Sequence, residues 1–132
     1  MISLILIIIA GIFNAIMDTL SFRYGISVFS KWTKYEQFMD PQKSWVNKYK
    51  YNNPTLGPKF FGSKSFLVWT TDLWHLSKTL MITSFILAII FYTPVVTTGY
   101  IFLDLLINAE ILHISFSLTF SLFWDRIFKL KK

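Results

Sequence analysis

The chain contains no cysteine. This excludes disulfides, thiolate metal sites, thiol nucleophiles, palmitoylation and carboxyl-terminal prenylation together. Charge is also scarce. Asp, Glu, Lys and Arg make up 15% of the 132 residues, where a soluble domain carries about a quarter. Catalytic signatures are missing as well: there is no His-Glu-x-x-His, no Gly-x-Ser-x-Gly, no Walker loop and no dinucleotide fingerprint. Asn53 is followed by proline, so it offers no glycosylation site. The net charge of +6 comes without a basic helix or an aromatic-basic repeat, which argues against nucleic acid as a partner.

What the sequence has is apolar length. Hydrophobic residues reach 54%, aromatic residues 19%, and mean hydropathy is +0.51. The expected fold is an all-α integral membrane domain with three transmembrane helices, occupying residues 1–132. The first span covers about 2–21. No Lys or Arg precedes Arg23, so the run reads as a retained helix rather than a cleaved signal. The second span covers about 66–92 and is ended by Pro94; the third covers about 100–124. Each is long enough to cross the ~30 Å hydrocarbon core.

Placement of the basic residues sets the expected orientation. The connection 22–65 holds Arg23, Lys31, Lys34, Lys43, Lys48, Lys50, Lys59 and Lys64 against Glu36 and Asp40. Residues 93–99 carry no charge, and the tail 125–132 holds Arg126, Lys129, Lys131 and Lys132. The positive-inside rule then puts the amino terminus outside and the carboxyl terminus in the cytoplasm. Phe29, Trp32 and Phe38 predict a short amphipathic helix lying at the membrane interface between the first two spans. A cytoplasmic cap that closes over a site between the helices is the alternative for this connection.

Ionisable residues inside a span are costly unless paired or wet. Asp18, Asp72, His75, Glu110 and His113 all fall inside the expected spans. Counting helical rise from the outer ends puts Asp18, Asp72, His75 and His113 in one slab of the cytoplasmic half. Acid-x-x-His occurs twice, at Asp72/His75 and Glu110/His113, and each pair shares a helix face. In di-metal bundles, Glu-x-x-His on two helices supplies one site. Asp72, His75, Glu110 and His113 are therefore the expected ligands of a divalent iron, zinc or manganese ion, with Asp18 an added carboxylate. The same five residues also suit general acid-base work on a lipid-borne substrate. Lys78, Arg23 and Lys64 are the expected contacts to anionic lipid headgroups.

Three readings follow. One is an accessory or assembly subunit, its polar stripes satisfied by a partner subunit or a homo-oligomer. The second is a membrane-embedded metal-dependent or acid-base enzyme. The third is a small pore former or proton/ion-conducting protein.

Overall fold

A computed structural model describes residues 1–130. Lys131 and Lys132, the end of the basic tail, lie outside the described residues. The described chain is helical, without strands. Helix α1 spans Ile2–Arg23. Two single-turn helices follow, α2 (Glu36–Met39) and α3 (Pro41–Ser44). The chain then enters α4 (Leu73–Ile90) and α5 (Ile101–Leu122), the latter extended by a π-turn over Phe123–Ile127. Helices α1, α4 and α5 are each long and apolar enough to cross a membrane.

The long helices are not equivalent. Of the apolar window of α1, 39% is buried, against 17% for α4 and 6% for α5. Helix α1 is the central element, and the other two pack on it. Small residues make this possible. Ser3, Ala10, Gly11, Ala15 and Thr19 of α1 are all buried, as are Ser77, Ser84 and Ala88 of α4. Between helices lacking a water-driven attraction, small side chains let backbones approach and gain dispersion contacts. Helices α4 and α5 meet through Phe85 and Phe116, whose ring centroids are 5.6 Å apart. Two hydroxyls buried along the bundle fold back on their own helices, Thr19 on Ala15 O (2.7 Å) and Ser84 on Leu80 O (2.8 Å).

Both ends of the bundle are fastened. At one end the Met1 ammonium donates to Thr93 Oγ1 (2.7 Å), and Ser3 Oγ donates to Thr93 O. At the other, the Arg23 guanidinium lies 3.8 Å over the Trp124 ring and 3.5 Å from Asp125. There Val28 N donates to Phe128 O and Leu130 N to Ile26 O, so the chain after α5 lies along the chain after α1.

The second helix is shorter than its hydropathy suggests. It begins at Leu73, not near residue 66, because Asp72 caps it: Asp72 Oδ1 accepts the His75 N–H at 2.8 Å. Upstream, the Thr70 and Thr71 hydroxyls bond the carbonyls three residues back, which closes 3₁₀ turns instead of helix. Phe66 and Trp69 are apolar, but they lie outside α4.

The connection between α1 and α4 is likewise not one interfacial amphipathic helix. Residues 24–35 form successive 3₁₀ turns, closed by Ser27 and Ser30 hydroxyls bonding carbonyls three residues back. Phe29 packs tilted against Phe128, with centroids 5.0 Å apart. The fold of this segment centres on Asn47, which is 9% exposed. Its Nδ2 donates to Gln37 O (2.7 Å) and to Thr71 O (2.9 Å), while its Oδ1 accepts from Gln37 Nε2 (2.8 Å). One amide side chain thus joins α2 to the start of α4. On the outer surface of this segment Glu36 bonds Lys43 (2.7 Å), and that bond holds the ammonium above its ordinary pKa.

Candidate functional site

The five ionisable residues singled out by the sequence occupy three separate places. The first pair sits at the start of α4. Asp72 is 2% exposed. Its Oδ2 accepts from the Thr71 hydroxyl (3.2 Å) and contacts His75 Nδ1 at 2.7 Å, in addition to the capping bond through Oδ1. The carboxylate therefore orients the imidazole and leaves Nε2 free, with about a third of the His75 side chain exposed. The Trp74 ring packs edge-on against His75, and its Nε1 donates to Ser21 Oγ (3.1 Å) near the end of α1.

The second pair lies near the middle of α5. Glu110 and His113 stand 3.6 Å apart, and their side chains are 71% and 72% exposed. Neither forms any other ion pair or side-chain hydrogen bond among the described residues. Their exposure follows from what α5 turns inward. Asn108 is 1% exposed. Its Oδ1 accepts from Val95 N and Val96 N, and its Nδ2 donates to Val96 O and Asp104 O, both at 2.7 Å. Glu110 is two residues on, about 200° around the helix, and so points away from the bundle.

The two pairs do not converge. Leu112 lines a groove with Ile7 and Ala88, whereas Trp74 meets Ser21. Ile7 and Ser21 are fourteen residues apart on α1, so the pairs are separated by roughly 20 Å along the bundle. Among the described residues, no three His, Asp or Glu side chains gather into a metal site. The residues expected to hold one iron, zinc or manganese ion, Asp72, His75, Glu110 and His113, are thus not gathered at one place among the described residues. Counting helical rise misled for a physical reason. The loop 93–99 folds back beside α5, held by Asn108 and by Asp104, which accepts from Thr98 N–H and hydroxyl. The first two turns of α5 therefore run ~10 Å past the level at which the loop is bound. Glu110 and His113 lie correspondingly farther from the start of α4.

Asp18 stands apart from both pairs. It is half-buried on the face of α1 that carries Ile7, Gly11 and Asn14, at spacings of four and three. It has no ion pair among the described residues, since Arg23 is engaged by Asp125 and Trp124. One buried side-chain oxygen, Ser77 Oγ, is without a partner among the described residues.

The three cations expected at headgroups each lie over an aromatic ring. Arg23 covers Trp124, Lys78 Nζ is 5.2 Å from the Trp74 ring, and Lys64 Nζ is 5.5 Å from the Tyr49 ring. Two features escaped the sequence reading. The stripe of small residues on α1 was visible as Gly11-x-x-x-Ala15. Asn108 was visible as polar, but its role depends on a loop folding back, which no spacing encodes.

No family model matches this chain, and neither does any curated protein or solved structure.

Proposed function

We propose that the chain is a polytopic membrane protein that works as an accessory or assembly subunit, docking onto its complex through α5. In this reading α1, α4 and α5 cross the bilayer, with the amino terminus outside and the carboxyl terminus in the cytoplasm. The distribution of basic residues supports that orientation.

One observation carries the reading. Several polar groups of the long helices are bonded within the chain: Asp72 by His75, Asn108 by the 95–96 backbone, Asp104 by Thr98. Glu110 and His113 differ from the unpaired Asp18 and Ser77 in being largely exposed near mid-helix, with only each other among the described residues. An acidic side chain at the centre of a spanning helix costs ~2.5–3.5 kcal/mol even by insertion scales. A docked neighbour removes that cost by supplying hydrogen bonds and excluding lipid tails. Photo-crosslinking from a benzoylphenylalanine at Leu106 in native membranes tests this. A protein adduct is expected; adducts with lipid alone would end the reading.

A second reading has one specific observation in its favour. Asp72 holds the His75 ring by Nδ1 and leaves Nε2 unpaired, which is the arrangement of an oriented general base. Lys78 and Arg23 belong to the same end of the bundle and would meet an anionic headgroup. Here His75→Gln would abolish turnover of a lipid-borne substrate while leaving the fold intact. Unchanged turnover would remove the enzyme reading.

A further inference from the structure

Helix α5 carries a regular seam on its exposed side. Leu103, Leu106, Glu110, His113, Ser117 and Phe120 follow one another at alternating spacings of three and four. That is the repeat by which two helices pack side by side at about +20° with side chains interlocking. The first four residues are exposed and the last two half-exposed. Among the described residues α5 meets α1 through another side, where Thr119 abuts Gly11, and at the far end of the seam Trp124 stacks on Phe120.

The polar content of this seam is self-complementary. Each copy brings one carboxylate that accepts and one imidazole that donates, 3.6 Å apart and at the centre of the repeat. Every copy inserts with the same topology, so two α5 helices meet in parallel. In a two-fold pairing, the same residues face each other across the axis. Glu110 of one copy then neighbours His113 of the other, one layer along. Two carboxylates and two imidazoles close into one group, flanked on one side by the Leu103 and Leu106 layers and on the other by Ser117 and Phe120. A single helix leaves the Glu110–His113 pair in lipid; a second copy buries it and adds hydrogen bonds to it. We infer that α5 is the self-association face of this chain and that its partner there is a second copy, joined through Glu110 and His113. This inference rests on the docking reading above and names the partner.

The natural absence of cysteine makes the test direct. Leu106→Cys and Ser117→Cys place thiols on the seam, and Leu118→Cys places one about 110° away on the same exposed helix. Oxidation in native membranes should convert the first two into a disulfide dimer of twice 15.5 kDa and leave the third monomeric. Adding Glu110→Leu with His113→Leu to Leu106→Cys should lower the dimer yield at least about fivefold, the scale of lost interhelical hydrogen bonds in a bilayer. Equal dimer from Leu118→Cys, or none from either seam position, overturns the second-copy inference. Photo-crosslinking from Leu106 separates the two failures. An adduct to a different protein rejects the second copy but keeps the docking face, whereas lipid adducts alone reject both.

Discussion

Gly11 of α1 lies so close to Phe116 of α5 that a β-carbon at residue 11 would stand 2.9 Å from the Phe116 carbonyl oxygen and 3.1 Å from Thr119 Cβ. The first of these contacts is to backbone, which cannot rotate aside. The α1–α5 spacing is thus set by the absence of a side chain. Gly11→Ala forces the helices apart and should cost about 1–3 kcal/mol, the range for overpacking; Gly11→Val should cost more. Denaturant unfolding in detergent measures this. If Gly11→Ala unfolds like the wild type, the close approach is not part of the fold.

The contrast between Gly11 and Asp72 shows what was legible in the sequence. Three helices of spanning length were readable because hydropathy is local. The exclusion of thiol chemistry was readable because it needs only a count. The depth of each ionisable group was not, because it depends on where helices start and stop. Asp72 read as an intramembrane acid, yet its carboxylate ends the 3₁₀ turns and begins α4. Residues 66–71 are apolar enough for a span, but hydropathy does not register a cap. Glu110 and His113 were readable as a pair. Their outward direction was not, since it is fixed by Asn108 holding a loop twelve residues earlier in the chain.

Asp72 serves both the cap and the imidazole, so its variants should separate the two. Asp72→Asn keeps an oxygen for the His75 N–H and should lose only part of the stability. Asp72→Ala removes the cap, worth about 1 kcal/mol. It also strips His75 Nδ1 of its carboxylate partner, while the Thr71 hydroxyl keeps Val68 O, for a total of about 2–3 kcal/mol. Unfolding midpoints of the two variants provide the comparison. Equal midpoints would mean that the cap Asn retains contributes nothing to stability.

Asn47 links α2 to the start of α4 through Gln37 and Thr71. Asn47→Ala takes the Asn47 amide from the Thr71 and Gln37 carbonyls, a loss of about 1–3 kcal/mol. The loss should fall on the connection rather than on the bundle. Limited trypsin digestion should therefore cut faster at Lys48, Lys50 and Lys59, with the three long helices retained as judged by circular dichroism. A protease pattern like that of the wild type would show that the segment is held by other contacts.

Asn108 is the strongest case, because one side chain makes four hydrogen bonds at nearly complete burial. Asn108→Leu conserves volume but leaves Val95 N–H, Val96 N–H and Val96 O without their partner. Leaving buried polar groups unpaired costs about 1–3 kcal/mol each before relaxation. The loop relieves part of this by lifting away from α5 into water or headgroups. The expected outcome is a net loss of about 2–3 kcal/mol together with new chymotrypsin cleavage at Tyr92 and Tyr100. Asp104 and Thr98 hold the outer half of the same loop, so Asn108→Leu combined with Asp104→Ala should release it altogether. The Met1 and Ser3 contacts to Thr93 would then be lost as well, because they depend on where the loop leaves α4. If the double variant keeps both its stability and its resistance to chymotrypsin, the fold-back of the loop beside α5 is not what fixes the register of α5, and the outward placement of Glu110 and His113 needs another cause.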